Sequence, residues 1–166
     1  ELYINSKTAA RENFTWYAWS EYLPAVYAFD KINEVHFQLH HSKGGGPPLI
    51  GFWVSEDKWR LIQTFDTVDI SNQKHIIKSH DLGPVTKGKW VDWVLHVNFS
   101  VKDDGRIQMW RNDSLVLDVQ GANFNVDNGK PVESPYMKFG IYKWRWKDNP
   151  GPFNPDRRVA YFDEIK

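Results

Sequence analysis

Apolar and polar residues alternate along most of this chain with a period of two, the pattern of β-strands buried on one face. The longest alternation covers residues 89–101. The other strand-like stretches are 14–23, 35–41, 49–54, 59–64, 75–78, 106–110, 115–119, 136–144 and 157–165. No stretch keeps the 3.6-residue period of a helix over three turns. The pattern therefore predicts an all-β protein.

Short polar sequences rich in Gly, Asp and Asn separate these stretches. Residues 55–58, 103–105 and 111–114 have the composition of hairpin turns. The sequence Leu82-Gly83-Pro84 predicts a break, and Gly-rich and Pro-rich segments lie at 44–48 and 148–155. Many short strands joined by such turns indicate an antiparallel sandwich or barrel.

Two predicted strands carry an unusual set of polar side chains on one face. The residues that share a face are His36, Gln38 and His40 on 35–40, and Tyr136, Lys138 and Tyr142 on 136–142. The apolar residues between them, expected in the core, are Phe37, Leu39, Met137, Phe139 and Ile141. Imidazole, amide, ammonium and phenol groups pack poorly in a core but suit chemistry, so we expect a site here.

Polar faces on several strands favour a solvated groove over the filled interior of a closed barrel. We expect a concanavalin A-like β-jelly-roll sandwich of two antiparallel sheets, one of them concave and polar. The residues expected to line its groove are Gln38, His40, His96, Asn98, Gln108, Trp110, Lys138 and Tyr142.

Composition narrows the classes of partner. With 166 residues the chain predicts a single domain over 1–166. Its formal net charge is 0, so no overall field favours nucleic acid or a membrane surface, and without cysteine it has no disulfide or thiolate ligand. Nine Trp, ten Phe and seven Tyr exceed what one small core needs. We therefore expect some rings on the surface, where sugars commonly stack.

The same segments resemble a known family. Residues 35–40 with Pro47-Pro48-Leu49, then 87–90, 104–110 and 136–142, occur in an order similar to that of the β-jelly-roll polysaccharide lyases. This family includes glucuronan and heparin lyases, with alginate lyases more distant, and its signatures Q-x-H and Y-x-K-x-G-x-Y are intact. The resemblance covers nearly the whole chain. The family's R-x-E-L motif is present only as Glu1-Leu2, so we expect the chain to lack the preceding arginine and its N-terminal strand or strands.

The resemblance implies cleavage of a uronic-acid polysaccharide by β-elimination, which leaves an unsaturated uronate end. Gln38 would neutralise the carboxylate of the sugar, and Tyr142 and His40 would be the acid and base. One tyrosine serves both roles where C5–H and the leaving oxygen are on the same side, and His40 becomes the base where they are opposite. The residues expected to bind substrate are Lys138, Tyr136, His96, Lys143, Arg145 and Trp144.

Two other functions remain open at this stage. A non-catalytic, lectin-like carbohydrate-binding module could use the same fold. A sandwich glycoside hydrolase is disfavoured because its E-x-D-x-x-E pattern does not occur. We expect a monomeric, secreted or periplasmic protein whose partner is an anionic polysaccharide, not nucleic acid or a membrane. We expect no required cofactor. Jelly-roll lyases sometimes hold a structural calcium, but no Asp/Asn cluster in this sequence has calcium-ligand spacing, so no metal site is predicted.

Overall fold

The computed structural model describes residues 2–4, 14–29, 31–41, 47–66, 75–127, 130–131, 135–145 and 157–166. Within these ranges the chain forms 13 strands and no helix. The strands are β1 (Leu2–Ile4), β2 (Phe14–Tyr22), β3 (Glu34–His40), β4 (Ile50–Ser55), β5 (Lys58–Phe65), β6 (Ile76–Pro84), β7 (Trp90–Asn98), β8 (Arg106–Arg111), β9 (Ser114–Gln120), β10 (Val126–Asp127), β11 (Lys130–Pro131), β12 (Tyr136–Tyr142) and β13 (Tyr161–Asp163). In the described part of the chain, no helix capable of crossing a membrane is found.

Two antiparallel sheets form the body of the protein, as the alternation predicts. The larger has 6 strands in the order β1-β12-β3-β4-β5-β6, and the other has 5 strands in the order β13-β2-β7-β8-β9. Strands β10 and β11 form a separate two-stranded sheet. Because β12, late in the chain, inserts between β1 and β3, the two polar strands found in the sequence are neighbours.

Aromatic rings from both sheets fill the space between them. The ring of Trp19 on β2 stacks on Phe37 of β3 with 4.8 Å between centroids. Trp93 on β7 meets Phe52 of β4 edge to face, also at 4.8 Å. Ring pairs with these geometries add stability beyond that from the apolar area that the rings bury. Much of the aromatic surplus is therefore core, although Trp16 is 59% exposed.

Most of the predicted turns are present, and one predicted break is not. Strands β8 and β9 are joined at Asn112 and Asp113, both with positive φ (46° and 65°), which is the conformation of a type I′ hairpin turn. Strand β6 continues through Leu82-Gly83-Pro84, where a break was expected. Its register against β5 shifts there, and Gly83 takes a φ of 88°, so the irregularity bends the strand without ending it.

A β-bulge at the start of β3 reverses the faces of its first residues. Val35 pairs with Trp53 of β4, but Phe37 pairs with Phe52, so β3 carries one extra residue here. His36 consequently points into the interior and has no exposed surface. The expectation that His36 shares a face with Gln38 and His40 is wrong for this reason.

Candidate active site

A cavity of about 510 Å³ opens on the outer face of the larger sheet. It brings together four polar residues predicted from the two strands with aromatic and apolar residues around them. The lining residues are Val35, Gln38, His40, Pro47, Pro48, Trp53, Lys138, Tyr142 and Trp144. The central expectation of the sequence analysis, one shared cleft for Gln38, His40, Lys138 and Tyr142, is met by this geometry.

The pairing of β3 with β12 sets the layout of the cavity. Lys138 lies directly opposite Gln38, and Tyr136 lies opposite His40. The rings of Tyr136 and His40 stack at 5.4 Å, and the Lys138 Nζ lies 5.6 Å from the centre of the Tyr136 ring. Tyr136 therefore supports one end of the cavity by holding the imidazole and the ammonium beside it.

The imidazole of His40 has a defined orientation. Its Nδ1 lies 2.9 Å from the backbone carbonyl oxygen of His41. Because a carbonyl oxygen can only accept, Nδ1 is the protonated nitrogen in this contact. In the neutral ring Nε2 is then the atom that can take a proton, as a general base requires.

Tyr142 occupies the other end of the cavity, opposite Val35. Its side chain is 44% exposed, and its ring lies 6.0 Å from that of Trp144. Trp144 in turn contacts the Trp53 ring at 5.2 Å. These rings form an aromatic wall next to an accessible phenol.

Gln38 forms the floor between the two ends. It retains only 3% of its accessible surface, yet it lines the cavity. A ligand group must therefore reach the bottom of the cleft to meet its amide. Opposite Gln38 on the next strand is Gly51, where a methyl group would overlap the indole Nε1 of Trp53. The glycine lets that indole lie across the sheet beside Gln38.

Sequence analysis missed Trp53, whose position depends on this glycine. Residues 49–54 read as a strand, but no motif marked the tryptophan. A glycine two positions before a tryptophan in a strand was the available signal, because an outward-facing glycine leaves a gap for a neighbouring ring.

Lys143, predicted to bind substrate, lies in the interior instead. Its exposed fraction is 7%, and its Nζ donates to Glu34 Oε1 at 3.0 Å. The period of two explains the correction, since the residue after outward-facing Tyr142 must face inward. Arg158 reaches the same oxygen at 2.9 Å.

The carboxylate of Glu34 is the centre of a buried charge network. Burial by itself raises the pKa of the Glu34 carboxyl. The nearby imidazole of His36, together with hydrogen bonds from Tyr27 and Lys143, outweighs burial and holds that pKa at about 2. The carboxylate therefore stays ionised and ties the ends of β3 and β12 to each other and to Arg158.

His36 extends the network to the opposite sheet. Its Nδ1 contacts the buried carboxylate of Glu21 on β2, and its Nε2 lies 3.7 Å from Glu34. Burial lowers the pKa of His36, but the charge of Glu21, with help from Glu34, outweighs this effect and raises the pKa to about 9. The imidazolium thus bridges the two sheets beneath the Tyr142 end of the cavity.

His96, also predicted to bind substrate, does not reach the cavity. It lies on β7 of the other sheet, where inward-facing neighbours Leu95 and Val97 are fully buried. Its ring stacks on exposed Trp16 at 4.2 Å, and its Nδ1 lies 3.2 Å from the Gln108 side-chain oxygen. The same correction applies to Asn98, Gln108 and Trp110, which alternate with buried residues on β7 and β8. Their polar face is the outer face of the second sheet.

Trp144 and Arg145, which follow Lys143 and were also predicted to bind substrate, lie in different places. Trp144 lines the cavity, whereas Arg145 is exposed and does not. Among the described residues no group of three His, Asp or Glu side chains is arranged to hold a metal ion.

Two antiparallel sheets packed as a sandwich, with a polar and aromatic-lined cleft on the outer face of one of them, define a β-jelly-roll protein. The model of the family described as "Polysaccharide lyase" matches residues 1–166. The chain belongs to this family. No curated protein is significantly similar to it in sequence.

Solved structures share the fold at low sequence identity. The endo-β-1,4-glucuronan lyase from the fungus Trichoderma reesei superposes with a TM-score of 0.78 and 17% identity, covering 92% of this chain and 66% of that one. An alginate lyase from a Chlorella virus superposes with a TM-score of 0.63 and 12% identity, covering 95% of this chain and 71% of that one. An alginate lyase from Pseudomonas aeruginosa superposes with a TM-score of 0.57 and 18% identity, covering 91% of this chain and 62% of that one. The chain spans just under two thirds of the length of the glucuronan lyase.

Proposed function

We propose that this protein cleaves a 1,4-linked uronic-acid polysaccharide by β-elimination. The observation that carries the proposal is the single cavity lined by Gln38, His40, Lys138 and Tyr142. Membership of the polysaccharide lyase family supports it. Glucuronan is the first polymer to test, because the structure with a TM-score of 0.78 is that of a glucuronan lyase.

The reaction sets three tasks. A base removes the proton from C5, the C–H electron pair forms the C4=C5 double bond, and the C4–O bond breaks. Negative charge develops on the neighbouring carboxylate and must be stabilised, and the departing oxygen must be protonated. Each task has a side chain in the cavity, so the proposal requires no cofactor.

The floor of the cavity suits the carboxylate. The Gln38 amide can donate a hydrogen bond to it without a charge of its own, and Lys138, directly opposite, supplies the positive charge. Donors fixed in a partly water-excluded floor stabilise developing charge more strongly than donors in bulk water. We therefore assign charge stabilisation to Gln38 and Lys138 together.

The two ends of the cavity suit proton transfer. For glucuronate, where C5–H and the leaving oxygen lie on the same side, Tyr142 would act as base and then as acid. For a sugar with the opposite arrangement, His40 would be the base through Nε2 and Tyr142 the acid. Tyr136 and Trp144 would then hold the sugar rings flanking the cleavage point.

Incubation with glucuronan, heparin and alginate tests the proposal, with absorbance of the unsaturated uronate as readout. Tyr142→Phe should reduce turnover at least about 100-fold with little loss of binding, because it removes only the proton-transferring group. Tyr161→Phe, an exposed tyrosine on the other sheet, is the matched control and should keep full activity.

The outcomes separate the three functions considered. A rise in absorbance that Tyr142→Phe abolishes supports the lyase. Binding without a rise in absorbance would identify a carbohydrate-binding module, and new reducing ends without absorbance would identify a hydrolase. Substantial activity in Tyr142→Phe would remove the phenol from the mechanism.

A further inference from the structure

A row of side chains crosses the larger sheet from Tyr142. In register, Tyr142 lies opposite Val35, Val35 opposite Trp53, and Trp53 opposite Arg60 on β5. Since neighbouring strands are about 4.8 Å apart, Arg60 lies roughly 14 Å across the sheet from Tyr142. That span corresponds to a few sugars of an extended chain running across the strands.

Arg60 faces the same side as the cavity. Its neighbours along β5, Trp59 and Leu61, are 1% and 0% exposed and point into the core. Because side chains alternate, Arg60 points outward. On the adjacent strand β4, Trp53 lies opposite Arg60 and also points outward, where it lines the cavity. Arg60 is therefore the next cation beyond the aromatic wall in this direction.

The guanidinium of Arg60 is available to a ligand. Its contact is with the Ser79 hydroxyl at 3.4 Å, and among the described residues no carboxylate pairs with it within ion-pair distance. Asp81, which lies opposite Arg60 on β6 and senses its charge, is already bound by Lys58 Nζ at 2.9 Å and by the Gly83 N–H at 2.8 Å. An arginine in this position suits a carboxylate, which it can bind through two parallel hydrogen bonds.

Trp53 supplies the surface between Arg60 and the cleavage point. The indole lies against the sheet over Gly51, and Trp144 packs against it at an interplanar angle of 61°. Its Nε1–H is buried and has no hydrogen-bond partner among the described residues. A half-buried ring of this kind offers a fixed apolar platform, since its polar edge is turned toward the sheet.

We propose that Trp53 and Arg60 form an additional sugar-binding subsite, in which one uronate stacks on the indole and the carboxylate of the next one pairs with the guanidinium. This inference rests on the proposed function, and it specifies where an anionic chain runs beyond the reacting sugar. It makes the protein selective for longer chains with a charged group at every sugar.

Binding of glucuronan oligosaccharides from disaccharide to hexasaccharide tests this subsite. Calorimetry on the Tyr142→Phe protein, which binds without cutting, gives affinity at each length. Arg60→Gln should weaken the hexasaccharide about tenfold and leave the shortest ligands unchanged, because only a long chain reaches Arg60. Arg106→Gln, an exposed arginine on the other sheet, is the matched control.

Trp53→Leu gives a second readout, with Trp16→Leu on the outer face of the other sheet as control. It should weaken every ligand long enough to reach the indole, and the control should weaken none. Equal loss at all lengths in Arg60→Gln, or no loss at any length, would overturn the subsite. Length-dependent binding without cleavage of any polymer would instead reject the lyase and leave the subsite standing.

Discussion

The protonation of His36 provides the strongest test of the buried charge network between the two sheets. Its pKa is raised from 6.5 to about 9 in the folded protein. A group whose folded pKa lies above its unfolded pKa stabilises the fold fully below the unfolded value. That contribution is lost as pH rises through the folded value. We therefore expect the protein to lose stability between pH 6.5 and about 9.

The magnitude follows from the shift. At about 1.36 kcal/mol per unit, a change from 6.5 to about 9 corresponds to about 3 kcal/mol in the free energy of unfolding. His36 is completely buried, so solvent does not screen its contact with Glu21. Domains of this size are stable by about 5 to 15 kcal/mol, so the loss is a large fraction of the total.

Urea unfolding of the wild-type protein and His36→Gln measures this effect. Gln keeps an N–H donor for Glu21 but cannot be protonated, so the variant lacks the pH-dependent part. The difference in unfolding free energy between the two proteins should shrink by about 3 kcal/mol from about pH 6 to about pH 10. His96→Gln, on the outer face of the other sheet, is the matched control.

A difference that stays constant over this pH range would refute the reasoning, because it would mean that His36 carries no proton gained on folding. Titration of the His36 imidazole by NMR gives an independent answer in the unmodified protein. A midpoint at or below 6.5 would show that desolvation outweighs the two carboxylates.

Two further predictions concern stability. Glu34→Gln should cost about 3 to 5 kcal/mol near neutral pH, because it leaves the buried Lys143 and Arg158 charges without their carboxylate. The pKa of Glu34 lies below its ordinary value, at about 2, so this cost should shrink as pH falls from 4.5 toward 2, and urea unfolding that shows no such trend would contradict it. Gly105→Ala should destabilise by about 1 to 3 kcal/mol, since its methyl would overlap the backbone oxygen of Gly121, and an unchanged melting temperature would contradict this.

Alternation along each strand was enough to find most of the core and the polar cavity residues on the two signature strands. Phe37, Leu39, Met137 and Phe139 are buried in the common cluster, as expected, although Ile141 lies outside that cluster. Along regular strand the period of two is enforced by the backbone itself, so it transfers from sequence to structure. The predicted sandwich of two antiparallel sheets follows from the same regularity.

The errors have two physical causes. The alternation at His36 fails because a bulge inserts one residue into the pairing, which no polar pattern reveals. The error at His96 arises because alternation separates the two faces of one sheet but cannot tell which sheet a strand joins. A sandwich has two outer faces, and His96 lies on the one opposite to the cavity.

The bulge links the buried network to the candidate site. With strict alternation, Glu34 and His36 would face outward and Val35 inward, but the extra residue reverses all three. The interior then receives a carboxylate and an imidazole, which Lys143 and Glu21 neutralise. An apolar set of similar volume would often be at least as stable, so the charges are poor evidence for stability alone.

The buried charges of Glu34 and Lys143 instead favour one register of β3 in the sheet. A slip of one residue in β3 would move Glu34 outward and leave Lys143 buried without its partner at 3.0 Å. It would also move Val35 away from its position opposite Tyr142. The network therefore penalises the alternative pairing, and the same register places Val35 opposite Tyr142 at the end of the cavity.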